Sequence, residues 1–136
     1  MRYRHELFLT LLLVLYSLSF AVVDGRLLQP ALIMAAVSAA FFPICLLVSY
    51  ALRMPPLERN LLLPLDIALA VGAITNVISI GSTAFFAIMF VSQVFILAIG
   101  FMWSAYECTR EGRTMQFMFA FLLWFLLLSA VGKAIG

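Results

Sequence analysis

Asp66, Asn76 and Gln93 are polar side chains set inside long apolar runs, and they are the residues with which this chain could do chemistry. Asp66 and Asn76 share one run, "RNLLLPLDIALAVGAITNVISIG" (59–81), and Gln93 belongs to the next. An aspartate within a membrane span is energetically expensive and often marks a proton or cation pathway. Two amides can line a polar path, or they can hydrogen-bond between helices and hold them together. The choice lies between a path lined by all three residues and a set of structural contacts.

Depth bears on that choice. If the helix begins at Asn60, a residue type favoured as an N-cap, Asp66 lies about 9 Å inside at ~1.5 Å per residue. If Pro64 occupies the first turn instead, Asp66 falls where free N–H groups and the positive end of the helix dipole favour a carboxylate. Either start places it toward the cytoplasmic surface, with Arg53, Arg59, Arg110 and Arg113 as candidate partners. A capped or ion-paired helix end is then the simpler role. Asn76 and Gln93 are deeper, and the short "GST" link (81–83) pairs their helices antiparallel. Because side chains lean toward their own helix N-terminus, these two lean toward each other. An interhelical hydrogen bond between them is expected, contributing on the order of 1 kcal/mol. The same rule disfavours an Asp66–Gln93 pair.

Composition identifies the elements that must position these residues. Of 136 residues, 66% are hydrophobic and 10% charged, and the mean hydropathy is +1.19; soluble domains carry roughly 25% charged residues. Five runs, residues 7–23, 28–52, 61–80, 84–105 and 115–135, suit helices crossing ~30 Å of hydrocarbon. Helix is required because every backbone N–H and C=O must be paired internally in lipid, and no barrel-type alternation is visible. The expected fold is an all-α integral membrane protein, a compact bundle of five transmembrane helices forming one domain over 1–136. The first run has an alternative: "MRYRHE", an apolar core and the small-residue exit "SFA" (19–21) have the form of a secretory signal, whose removal leaves four helices. We read it as a retained helix.

Basic residues set the orientation. An N-terminus in the cytoplasm puts Arg2, Arg4, Arg53, Arg59, Arg110 and Arg113 inside and leaves Arg26 and Lys133 outside, the usual bias for a multi-pass protein of a plasma (inner) membrane. The C-terminus is then outside. Tyr3, Tyr50, Trp103 and Tyr106 fall at the cytoplasmic ends of their spans, where amphipathic rings favour the headgroup level; Tyr16 and Trp124 lie near mid-span and do not follow that rule. The four loop arginines Arg53, Arg59, Arg110 and Arg113 are expected to contact lipid headgroups or a partner protein.

Small residues at four-residue spacing mark surfaces where helix backbones can approach closely. Such rows are Ala31, Ala35 and Ala39, with Ala36 and Ala40 beside them; Ala68, Gly72 and Asn76; Gly100 and Ser104; and Gly132 and Gly136. Packing within the chain is the expected use. Pro43 removes a backbone hydrogen bond and crowds the carbonyl of Ala39, so the second span should kink there. In the last span the stretch "QFMFAFLLWFLLL" (116–128) is apolar all round apart from Gln116, which suits a peripheral helix facing lipid or an apolar partner.

Enzyme signatures do not occur in the sequence. It has no phosphate-binding loop, dinucleotide glycine fingerprint, nucleophile elbow or paired metal-binding residues. With a single histidine, His5, and two cysteines, Cys45 and Cys108, placed toward the reducing side, no metal centre, haem, other cofactor or structural disulfide is expected. The loops 53–60 and 107–114 are too short for a catalytic domain. Their resemblance, in "SYALRMPPLER" and "SAYECTREGR", is no more than the positive-inside bias produces. No nucleic-acid partner is expected. The function expected is that of a non-catalytic subunit, scaffold or assembly factor of a larger membrane complex. The alternative is a homo-oligomeric channel or transporter with Asp66, Asn76 and Gln93 along its path.

Overall fold

The structure is a computed structural model that describes residues 4–135; Arg2, Tyr3 and Gly136, used above in the charge bias, the aromatic belt and a small-residue row, lie outside them. The described residues form helices and contain no strand. These are α1 (Arg4–Val23), a 3-10 turn (Gly25–Leu27), α2 (Leu28–Ala39), α3 (Phe41–Leu52), α4 (Arg59–Ile78), α5 (Thr83–Arg110) and α6 (Thr114–Ile135). With α2 and α3 taken as one span, five stretches are long and apolar enough to cross a membrane. Two ends can be told apart. The start of α1, the α3–α4 loop and the α5–α6 turn form a basic end; the α1–α2 and α4–α5 turns lie opposite.

Each boundary has a local cause. α3 stops where "MPP" follows, and its last carbonyls are closed by Met54 N–H on Ser49 O (3.0 Å) and Arg53 N–H on Tyr50 O (3.2 Å). That closure holds Arg53 at φ 54°, a left-handed conformation usually left to glycine. α5 ends the same way with a better-suited residue: Gly112 has φ 71°, and Arg113 N–H reaches Cys108 O at 2.7 Å. The expected end at residue 105 was too early because "YECTR" contains no breaker. Cys108 therefore sits inside a helix, and it and Cys45 are buried free thiols.

α4 starts at Arg59 after Glu58, which makes no side-chain cap, so neither Asn60 nor Pro64 begins it and Pro64 lies within the helix. The proline's disturbance is absorbed by α5: Leu65 N–H donates to Ser104 Oγ at 3.2 Å. At the turn into α5, Gly81 has φ 80° and Ser82 Oγ accepts from Phe85 N–H at 3.3 Å. In the α1–α2 turn, Asp24 accepts from Arg26 and forms an ion pair of 3.0 Å. Those hydrogen bonds hold the Asp24 carboxyl below its ordinary range.

The kink expected from Pro43 is a full interruption. Helical assignment lapses at Ala40, where the N–H turns to Val37 O (3.1 Å). The same carbonyl accepts from Trp124 Nε1 at 3.2 Å, which accounts for a tryptophan at mid-span. α6 is thus less peripheral than its composition suggests. Phe117, Ala120, Phe121 and Trp124 are buried, and the Phe121 ring lies 5.0 Å from those of Phe41 and Phe101. From Phe125 onward α6 has no buried residue.

The core gathers Leu9 and Leu13 of α1, Phe41 and Val48 of α3, Leu61, Leu62, Leu65 and Leu69 of α4, and the aromatic face of α6. Among the small residues, Ala31, Ala35, Ala68, Gly72 and Gly100 are buried, but Ala39 is exposed. Ala39 is still within α2, and at ~3.6 residues per turn it has drifted about 80° from Ala31, whereas Ser38 lies only about 20° away; Ser38 therefore takes the contact, 3.2 Å from Ser17 Oγ of α1. Gly132 has open space around it. The closest approach is that of α5 to α4: a Cβ placed on Gly100 would lie 2.6 Å from Ala68 Cβ and 3.0 Å from Pro64 O.

Candidate functional site

Asn76 and Gln93 are fully buried and bonded to each other, Gln93 Nε2 donating to Asn76 Oδ1 at 2.6 Å. The expected α4–α5 hydrogen bond therefore forms. α1 extends it in both directions: Asn76 Nδ2 donates to Ser19 Oγ at 2.8 Å, and Tyr16 OH donates to Gln93 Oε1 at 2.9 Å. Ser19 Oγ in turn donates to Tyr16 O. Both amides thus engage both of their polar atoms in a closed set of contacts joining three helices. Gly72 makes room for the arrangement, since a Cβ there would lie 2.9 Å from the Tyr16 ring.

Tyr16 and Ser19 were not among the expected site residues. A sequence signal existed for Tyr16, an aromatic hydroxyl too deep for the interfacial belt. None existed for Ser19, which read as part of a signal-peptide exit.

A second cluster lies at the basic end. Glu6 is fully buried, and its Oε1 accepts from Leu57 N–H at 2.7 Å, drawing the α3–α4 loop onto α1. Among the described residues its Oε2 has no hydrogen-bond partner. Arg113 donates to Pro55 O and, at 2.9 Å, to Pro56 O; its Nε donates to Gln116 Oε1 at 2.8 Å. Gln116 Nε2 donates to Ser49 Oγ (2.8 Å) and Pro55 O (2.9 Å). Arg113 is therefore occupied inside the protein rather than free for headgroups. Arg53, Arg59 and Arg110 are exposed, Arg110 lying 3.5 Å from Glu107. Glu6 was overlooked because "MRYRHE" reads as a solvated charged flank.

Asp66 joins neither cluster. It is ten residues from Asn76 along α4, about 15 Å, and its environment is a groove of about 630 Å³ between α1 and α4. Arg4, His5 and Arg59 line the mouth; Phe8, Leu12 and Ile67 line the walls. Asp66 is 6% exposed, and among the described residues its Oδ1 has no hydrogen-bond partner and it makes no ion pair. Seven residues into the helix, it is also beyond the free N–H groups of the first turn. Among the described residues it therefore has neither the helix-end cap nor the close ion pair expected for it, although Arg59, one of the candidate partners, lines the same groove.

An apolar cavity of about 320 Å³ lies between α1, α2, α4, α5 and α6, bounded by Tyr16, Phe20, Leu69, Phe101, Phe121 and Trp124. The described residues hold no cluster of metal-binding side chains. In comparisons of sequence and of structure, no family model, curated protein or solved structure matches the chain.

Proposed function

We propose that this multi-pass protein is a non-catalytic subunit, scaffold or assembly factor of a larger membrane complex. The observation that carries the reading is the economy of its polar groups inside the spans. Asn76 and Gln93 are consumed by Tyr16 and Ser19, and Asp66 faces a different groove. A continuous polar path needs groups left free to exchange partners with an ion or water, and the two amides lack them. The basic residues at the mouth near Asp66 also repel cations.

A subunit needs surface for its neighbours. Over its 28 residues α5 buries only Gln93, Gly100, Ser104 and Cys108, all along the stripe that meets α4. Leu97, Phe101 and Ala105 pack on the core beside that stripe, while the exposed face of α5 that carries Phe95, Ile99 and Met102, and the end of α6, are available to lipid or to other helices. The orientation that accompanies this reading has the basic end in the cytoplasm and the C-terminus outside, in a plasma (inner) membrane. Arg4, Arg53, Arg59, Arg110 and Arg113 lie at that end, whereas Arg26 at the other is paired with Asp24.

The test is the native mass of the tagged protein after gentle extraction, with co-purifying chains identified and a photocrosslinker at Phe95 on the uncovered face of α5. A stoichiometric foreign chain that crosslinks there supports the proposal. A homo-oligomer whose ion flux in liposomes is lost in Asp66→Asn overturns it in favour of the channel or transporter.

A further inference from the structure

The groove beside Asp66 combines two features that neither packing nor capping explains. α1 and α4 run side by side in the same direction: Glu6 meets Leu57, and Ser19 meets Asn76. This register brings Arg4 and His5 level with the first turn of α4. On α1, Arg4, Phe8 and Leu12 recur at four-residue spacing; on α4, Arg59, Leu63 and Ile67 do the same. Such positions share one helix face. The two faces build a groove that is cationic at the basic end and apolar along its length.

Asp66 lies about 10 Å further along the groove than Arg59 at ~1.5 Å per residue. A buried carboxyl oxygen without a partner is costly, and Asp66 shares this groove with Arg4, His5 and Arg59 without pairing with any of them among the described residues.

We propose that this groove binds an anionic glycerophospholipid, its phosphate held by Arg4, His5 and Arg59, its glycerol-ester oxygens beside Asp66, and an acyl chain along Phe8, Leu12 and Ile67. The order of chemistry along the groove matches the order along the lipid. Charge comes first, neutral polar atoms next and hydrocarbon last. Two arginines can take phosphate oxygens through charge-assisted hydrogen bonds. A diacyl lipid has no free glycerol hydroxyl on the membrane side of its phosphate, so a carboxyl group at that depth meets ester carbonyls rather than the negative charge, and it binds them as the donor, in its protonated form. The volume of about 630 Å³ accommodates a headgroup, glycerol and the start of a chain, and leaves the rest of the lipid in the bilayer.

The experiment is native mass spectrometry of the full chain released from mixed micelles of phosphatidylglycerol and phosphatidylcholine, scoring retained lipid per protein. Wild type is expected to retain phosphatidylglycerol preferentially. Arg4→Gln with Arg59→Gln should cut that preference by about 30-fold, taking each basic contact at its typical interfacial strength. Arg53→Gln with Arg110→Gln removes the same charge elsewhere on the basic end and should leave the preference intact. Asp66→Asn, which keeps a hydrogen-bonding group, should retain more lipid than Asp66→Leu. Equal losses in the two arginine pairs, or no preference in wild type, would overturn the proposal. So would full competition by millimolar inorganic phosphate, which would make this a free-phosphate site. Circular dichroism of each variant separates lost binding from lost folding.

Discussion

Gln93 uses both ends of its amide, giving to Asn76 and receiving from Tyr16. Gln93→Leu strands both partners inside the protein, and a loss of about 1–2 kcal/mol in unfolding free energy is expected from reversible denaturation in mixed micelles. Tyr16→Phe removes one donor and should cost less. An unchanged Gln93→Leu would show that the contacts contribute nothing to stability. Glu6 presents a different dependence, because one of its oxygens secures a loop. Glu6→Gln keeps an acceptor for Leu57 N–H, whereas Glu6→Leu leaves that N–H buried and unpaired, at about 1–3 kcal/mol. Limited trypsin digestion reads the difference, since Arg53 and Arg59 flank the loop and should be cut faster in Glu6→Leu alone. The Asn76–Gln93 bond was legible from side-chain direction within one hairpin. Its extension to Tyr16 and Ser19 was not, because nothing in the sequence places α1 on the amide-bearing side of that hairpin.

At the scale of elements, the α4–α5 pair depends on absent atoms. Gly100→Ala forces a Cβ against Ala68 and the Pro64 carbonyl, and overpacking of this kind costs about 1–3 kcal/mol. Gly132→Ala, in open space, is the matched control and should leave the midpoint of thermal unfolding where it is. Equal effects of the two substitutions would contradict the close approach. The small-residue rows located this contact and the burial of Ala35, Ala68 and Gly72, but included Ala39, which the drift of a four-residue row around the helix carries out of the interface. Pro43 was readable as a disturbance. That it would free the region of Val37 O for Trp124 depended on α6 lying across the break.

For the whole molecule, the proposed orientation makes opposite ends reactive from opposite sides. In a background with Cys45→Ser and Cys108→Ser, a membrane-impermeant maleimide added to intact cells should label Ser82→Cys and leave Arg53→Cys unlabelled until the membrane is opened. The reverse pattern would invert the topology and move the proposed lipid site to the other leaflet. Both positions are exposed, so accessibility within the protein is not limiting.

The all-helical class and the five apolar stretches were determined by the sequence alone, since length and hydropathy decide whether a segment can cross hydrocarbon while pairing its own backbone. The tertiary structure decided which face of each helix turns inward. In lipid, protein-facing and lipid-facing residues are similarly apolar, so hydrophobic periodicity carries little of the inside-outside signal that it carries in water. Only small and polar residues mark the interior, and their partners lie on helices far away in sequence. That is why Asp66 was visible at once as an anomaly. Its surroundings, a basic-mouthed groove shared with α1, emerged only when the two helices were set side by side.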